Sequence, residues 1–157
     1  MARAPTDLSY GARIVSRGRL HEASKLWALV CQAGERRVGL VKFDIRDRHC
    51  ELVTLEAFTQ GRGIGSALLA AVVAKATRRG CRRVWLIISN DNLQALRFYQ
   101  RRDMRLAALH RGAIDEARRI KNEIPPIGKH DTPIHDELEL ELHLDRPSLL
   151  IALASLH

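Results

Sequence analysis

Between Glu51 and Gly80 the chain passes from a short apolar run, Leu52 to Phe58, through a loop with glycine at 61, 63 and 65, into an apolar-periodic stretch that begins at Ser66. Glycine lacks Cβ, so this loop can turn sharply and bring its backbone close to a ligand. The first free N–H groups of the following helix point into the same space. Strand, loop and helix in that order make a cradle for an anion, most naturally a pyrophosphate. A Walker loop is excluded, because no Gly-Lys-Ser/Thr follows these glycines at the required spacing. A dinucleotide fingerprint is excluded too: its third glycine would fall at position 66 or 68, which are Ser66 and Leu68. The pattern that remains is Gln60-x-x-Gly63-x-Gly65, for which an ordinary glycine-rich turn is the competing reading.

The 157 residues make one domain by length, with a core expected over about 12–144 and peripheral segments at 1–10 and 145–157. Apolar residues are 46% and aromatics 4%, so the core must be mainly aliphatic. The formal charge of +8 suits phosphate-bearing partners. Its arginines, however, are scattered in pairs such as Arg36-Arg37 and Arg78-Arg79, without aromatic interleaving, so nucleic acid is not favoured as a partner. Cys31, Cys50 and Cys81 show no Cys-x-x-Cys spacing and the seven histidines no ligand spacing, so neither a disulfide framework nor a metal site is indicated. With no apolar stretch long enough to span a bilayer, a cytoplasmic protein without a membrane partner is expected.

Residues 1–10 read as a loose start, Ala12 to Val15 as a short strand and Arg19 to Glu22 as a connection. Lys25 to Ala33 and Arg37 to Asp44 read as a hairpin, and Arg46 to His49 as the turn into the strand before the glycine loop. In the helix after the loop, Leu69, Val72, Val73 and Ala76 recur on one face, and Gly80 supplies the stop. Arg83 to Ser89 is nearly continuously apolar, the pattern of a strand buried on both faces. Strand, helix and strand at this length imply a parallel crossover, with the cradle at the carboxyl end of a central strand.

A second helix is expected from about Asn92 to Arg102, with Leu93, Leu96 and either Tyr99 or Gln100 on one side. Met104 to Leu109 reads as a strand. Gly112 to Asn122 reads as a helix ended by Pro125-Pro126, and 127–133 as a polar loop. Glu137 to Leu144 alternates strictly, four leucines against three glutamates and His143, as a half-buried antiparallel strand does. Its partner is expected to be Met104 to Leu109, with 111–136 inserted between them.

The loop Gln60-x-x-Gly63-x-Gly65 and the helix Asn92-x-x-Ala95-x-x-x-Tyr99 agree in type, order and spacing with the cofactor motifs of the GCN5-related N-acetyltransferase (GNAT) superfamily, which the chain resembles over roughly Arg37 to Leu144. The family helix usually ends in Gly-Phe, where this chain has Asp103-Met104. The resemblance implies an α/β acyltransferase fold: a mixed, mostly antiparallel sheet splayed at a central parallel pair, with helices on both faces. It further implies transfer of an acetyl group from acetyl-CoA to a primary amine of a small-molecule or peptide acceptor. Pantetheine would lie beside Leu55 and Ala57, and Gln60, Gly61, Gly63, Ile64, Gly65 and Ser66 would surround the pyrophosphate, with Arg62 adding charge. Asn92 would hydrogen-bond the cofactor arm, Tyr99 would be the general acid, and Glu56, with Glu51 as the other candidate, the base.

The residues alone leave blander readings open. Asn92 is placed as an N-cap, Tyr99 as a core aromatic, and the glutamates of 137–141 as a solvent face paired with arginines. If the strand is regular, Glu51 and Glu56 point to opposite faces. The segment before residue 37 is short for a roof over the acceptor, so the site is expected to be open or completed by a second subunit of a homodimer. A catalytically silent regulatory or nucleic-acid-binding module is the rival reading.

Overall fold

The structure, a computed structural model, describes residues 9–10, 13–16, 19–22 and 26–145, with side chains from residue 26 onward. Strands β1 (Ser9–Tyr10), β2 (Arg13–Ser16) and β3 (Arg19–Glu22) pair in antiparallel order as a small sheet. Arg19 to Glu22, expected as a connection, is therefore a strand in register with β2 from Arg13↔Glu22 to Ser16↔Arg19. Ser9 and Tyr10, expected in a loose start, pair with Ile14 and Arg13. Strands this short carry too few alternating positions to show a period. The rest of the expected amino-terminal start, and the tail after Asp145, lie outside the described residues.

The main sheet is built from β4 (Trp27–Ala33), β5 (Arg36–Arg46), β6 (His49–Ala57), β7 (Arg83–Ser89), β8 (Arg105–His110) and β9 (Glu137–His143). Helices α1 (Ile64–Arg78), α2 (Leu93–Gln100) and α3 (Ala113–Ile120) connect them, with a 3-10 turn at Lys129–Asp131. The strand order is β4-β5-β6-β7-β9-β8, and every pairing is antiparallel except β6 with β7. This is the mixed sheet with a central parallel pair that the sequence implies. α3 stops at Ile120 rather than at the prolines; Ile114 and Ala117 form a small separate core with Ile124 and Ile134.

β9, last in sequence, lies between β7 and β8 and pairs with both. That central position corrects two expectations. Glu137 and Glu139 are buried, not on a solvent face, because their face lies inside the sheet rather than at its edge. β7 is not buried on both faces: Val84, Leu86 and Ile88 are fully buried, while Arg83, Trp85, Ile87 and Ser89 on the glutamate side are half-buried. Arg83 Nη1 lies 2.7 Å from Glu141 and 3.6 Å from Glu139. Burial alone would raise the Glu141 pKa, but the hydrogen bonds from Arg83 and His143 outweigh it and hold the carboxyl below its usual range.

The core lies between the other face of this sheet and α1 and α2. α1 buries Ile64, Leu68, Leu69, Val72 and Ala76 against Val41, Phe43, Leu52, Leu55 and Val84. It approaches β5 closely because position 39 is glycine: a Cβ there would lie 2.6 Å from Ile64 Cγ2 and 2.9 Å from Leu68 Cδ1. α2 contributes Ala95 and Tyr99 to the same core; Leu93, expected on the apolar face, is exposed. Cys50, in the strand facing α1, is a buried thiol pushed up to about 12, chiefly by burial. Such a group is chemically inert.

Both long connections end in the same cap. After α1, Gly80 N–H donates to Thr77 O (3.0 Å) and Cys81 N–H to Ala76 O (2.9 Å), with Gly80 at φ +72°. After α2, Asp103 N–H donates to Gln100 O (3.3 Å) and Met104 N–H to Tyr99 O (3.2 Å), with Asp103 at φ +65°. The Schellman pattern thus forms with an aspartate in the position that usually takes glycine, and Met104 and Tyr99 are both buried in the same core cluster. A left-handed L-residue costs about 1–2 kcal/mol, which a short polar side chain offsets in part. Asp103→Gly is therefore expected to stabilise the domain by about 1 kcal/mol, read as a rise in the denaturation midpoint at unchanged m-value.

Candidate functional site

The parallel ladder between β6 and β7 lasts three residue pairs: His49↔Arg83, Cys50↔Val84 and Glu51↔Trp85. Beyond Glu51, β6 keeps ladder pairing with β5 alone, and β7 with β9 alone. The sheet is thereby split at its centre, toward the carboxyl ends of both strands.

A bulge decides which side chains of β6 face the split from each side. Lys42 pairs with Thr54 and Phe43 with Leu52, so Val53 is the extra residue. Directly paired residues share a face, which puts Cys50, Leu52, Leu55 and Ala57 with Val41 and Phe43 on the α1 side. Glu51, Thr54 and Glu56 lie with Asp44, Lys42 and Leu40 on the other. Glu51 and Glu56 therefore share a face, against the expectation for a regular strand. Glu51 is buried where the strands are still joined, and Glu56 is half-buried where they have parted. Between them Thr54 is buried, and its Oγ1 has no hydrogen-bond partner among the described residues.

On the α1 side the split opens into a cleft of about 300 Å³. One wall is Leu55 and Ala57 of β6. The floor is the loop Thr59, Gln60, Gly61 and Gly63 with the first turn of α1, Ile64, Gly65 and Ser66. The far wall is α2, through Asn92, Gln94, Ala95, Phe98 and Tyr99, with Arg102 just beyond its end. α1 starts at Ile64, so Gly65 belongs to the helix and not to the loop. Gly63 is its N-cap in the left-handed region at φ +69°, with no side-chain cap and no acid in the first turn. The first intrahelical bond runs from Ala67 N–H to Gly63 O, which leaves the N–H groups of Ile64 to Ser66 without an intrahelical acceptor. These groups and the helix dipole favour an anion at this end of the cleft.

Arg62 is exposed and is not among the residues that line the cleft. The arginine that does line it is Arg102, whose role the sequence reading missed. Its Nε donates to Ser66 Oγ (2.8 Å), its Nη1 donates to Phe98 O (2.8 Å), and its guanidinium lies 3.7 Å from the Phe98 ring centroid. A charge held by three contacts beside the first turn of α1 is pre-organised for an anion. Its position after α2 carries no motif that would reveal it, because only packing brings it 36 residues back to Ser66.

Asn92 is both N-cap and cleft residue: its Oδ1 accepts from Ala95 N–H at 3.2 Å. Two turns further on, the Tyr99 ring is almost wholly buried and meets Phe98 edge-on at 5.0 Å while lining the cleft. Two cradle elements far apart in sequence thus meet across one space. Among the described residues no group of three or more His, Cys, Asp or Glu is placed to hold a metal ion, and no helix is long and apolar enough to cross a membrane.

A mixed sheet split at its one parallel pair, with an anion cradle and a buried tyrosine in the split, defines the class of protein. The chain belongs to the acetyltransferase (GNAT) family, whose model matches residues 5–104. It is 38% identical over 112 residues to the uncharacterized protein YdhI of Bacillus subtilis, covering 71% of this chain and 69% of that one. Its fold is similar to a Bacillus subtilis acetyltransferase crystallised with CoA, with TM-score 0.66 and 19% identity over 77% and 78% of the two chains. It is also similar to a GNAT family acetyltransferase from Elizabethkingia anophelis with acetyl-CoA bound, with TM-score 0.69 and 18% identity over 78% of each chain.

The junction of the two helices at the cleft depends on Gly65, where a Cβ would lie 3.0 Å from Phe98 Cζ and 3.1 Å from Phe98 Cε2. A branched side chain there must displace the ring that supports Arg102. Gly65→Val is expected to destabilise the domain by about 1–3 kcal/mol, the usual cost of overpacking, measured by chemical denaturation.

Proposed function

We propose that the protein transfers an acetyl group from acetyl-CoA directly to a primary amine of a small-molecule or peptide acceptor, in a ternary complex. The observation that carries this reading is that the N-terminus of α1 and the Asn92–Tyr99 face of α2 line one cleft at the split in the sheet. The residues present fit acetyl-CoA: an anion site at the first turn of α1, an apolar wall with polar groups along it, and a tyrosine on the facing helix. In this reading Gln60, Gly61 and Gly63 and the N–H groups of Ile64, Gly65 and Ser66 hold the pyrophosphate, with Arg102 in the part first expected of Arg62. Leu55 and Ala57 carry pantetheine along the edge that β7 has left, and Asn92 bonds the same arm.

The amine nitrogen forms the new C–N bond as the C–S bond breaks, so one proton must leave nitrogen and one must reach sulfur. Tyr99 supplies the second. A thiol pKa of about 8.5 makes sulfur a fair leaving group, so an acid near 10 is helpful rather than indispensable. Glu56 receives the first, directly or through a water, from the opposite face of the sheet. Its position beyond the last β6/β7 pair favours it over Glu51, which sits where the strands still close the sheet.

An amine-library screen for free-thiol release with acetyl-CoA tests the activity, and absence of both turnover and acetyl-CoA binding would refute it. With an acceptor in hand, Tyr99→Phe is expected to keep fold and acetyl-CoA affinity while turnover falls by roughly 10²–10⁴, the range of a general acid. Full activity in that variant would reduce Tyr99 to a packing residue. Glu56→Gln is expected to slow the reaction most at pH values where the free amine is still protonated, with cofactor affinity intact. An unchanged pH–rate profile would transfer the role to Glu51 or to solvent.

A further inference from the structure

Residues 90–92, which join β7 to α2, are tied one after another to the segment between α3 and β9. Asn90 Nδ2 donates to Pro133 O (2.9 Å), and Asn90 Oδ1 accepts from the N–H groups of His135 (3.0 Å) and Asp136 (3.1 Å). Asp91, itself buried, accepts from Ser89 Oγ (2.5 Å) at one carboxylate oxygen and from Lys129 N–H (2.8 Å) at the other. The two segments lie so close that Gly128 has no room for a Cβ against the Asp91 carboxylate.

This clamp delivers the Lys129 ammonium to Asn92. Its Nζ lies 3.3 Å from Asn92 Oδ1, the same atom that accepts the Ala95 N–H. Both partners are donors, and an amide nitrogen could accept from neither. The side-chain amide is therefore held in one of its two flips, with the oxygen toward helix and lysine and Nδ2 as its donor edge. The ammonium is partly withdrawn from water: desolvation lowers its pKa, and Asp91 opposes that shift.

We propose that Lys129 is a positioning residue for the cofactor cleft, holding the Asn92 amide so that its N–H edge meets an amide carbonyl of the pantetheine arm. The inserted segment 111–136 thereby gains a function as the support of the site rather than as a surface appendage. The inference rests on the acetyl-CoA reading above. It predicts a selective effect, because adenosine 3′,5′-bisphosphate keeps the nucleoside, the 3′-phosphate and the inner 5′-phosphate of the cofactor but has no pantetheine arm for Asn92 to meet.

Calorimetric titration of the full chain with acetyl-CoA and with adenosine 3′,5′-bisphosphate separates the possibilities. Lys129→Met is expected to weaken acetyl-CoA about tenfold, the loss of one charge-assisted hydrogen bond. It should leave the bisphosphate unaffected, and should add little in an Asn92→Ala background, since the two act as one unit. Unchanged acetyl-CoA affinity, an equal loss for both ligands, or the same loss in the Asn92→Ala background would each overturn the proposal. Should Lys129→Met fail to fold, Lys129→Gln is read by the same criteria. A wild-type protein that binds neither ligand would remove the acetyl-CoA reading and this inference together; wild-type binding with an unaffected Lys129→Met would remove the inference alone.

Discussion

The interruption of the β6/β7 ladder after Glu51 and Trp85 is the constraint on which the rest of the molecule depends. A parallel pair at the centre of a sheet ordinarily runs the length of its strands, because a buried peptide group without a partner is costly. Here each strand turns to its outer neighbour instead, β6 to β5 and β7 to β9, and the inner edges part. An edge opened inside a core is tolerable where a polar, extended ligand can lie against it, as an additional strand would. The aliphatic core beneath, from Leu52 and Leu55 to Leu86 and Ile88, holds both strands in place on either side of the gap.

The second determinant is one extra residue. By bulging at Val53, β6 keeps Leu52 and Leu55 in the core while placing Glu51, Thr54 and Glu56 together on the opposite face. Without it, Glu56 would point into the core packed against α1. A protein of formal charge +8 thus gathers buried and half-buried carboxylates on one side of its sheet, where β9 adds Glu137, Glu139 and Glu141. Arg83 lies among them, bonded to Glu141 and to His49 Nδ1 (3.0 Å) and 5.2 Å from the Trp85 ring. The cradle on the other side has the opposite sign, made by helix N–H groups and Arg102. The two faces of the split present contrasting electrostatic environments on either side of the gap.

Much of this was legible in the sequence, for reasons that are local. Gly61, Gly63 and Gly65 between an apolar run and an apolar-periodic stretch announce a strand, a tight loop and a helix, since those residue types act on backbone geometry within a few positions. Arg83–Ser89 is bounded as its apolar pattern indicates, Glu137–His143 is the antiparallel strand its alternation announces, and Asn92 caps the helix it begins. What only the tertiary structure decided are matters of partnership. That β9 inserts between β7 and β8, and so buries glutamates written in a surface-like alternation, depends on sheet order. That Glu56 shares a face with Glu51 depends on a bulge set by pairing with β5. That Arg102 rather than Arg62 lines the cleft, and that Lys129 reaches Asn92 across 37 residues, depends on which segments pack together. Periodicity and turn chemistry act within one element, whereas the identity of a neighbour across a gap is set by the burial of the whole chain.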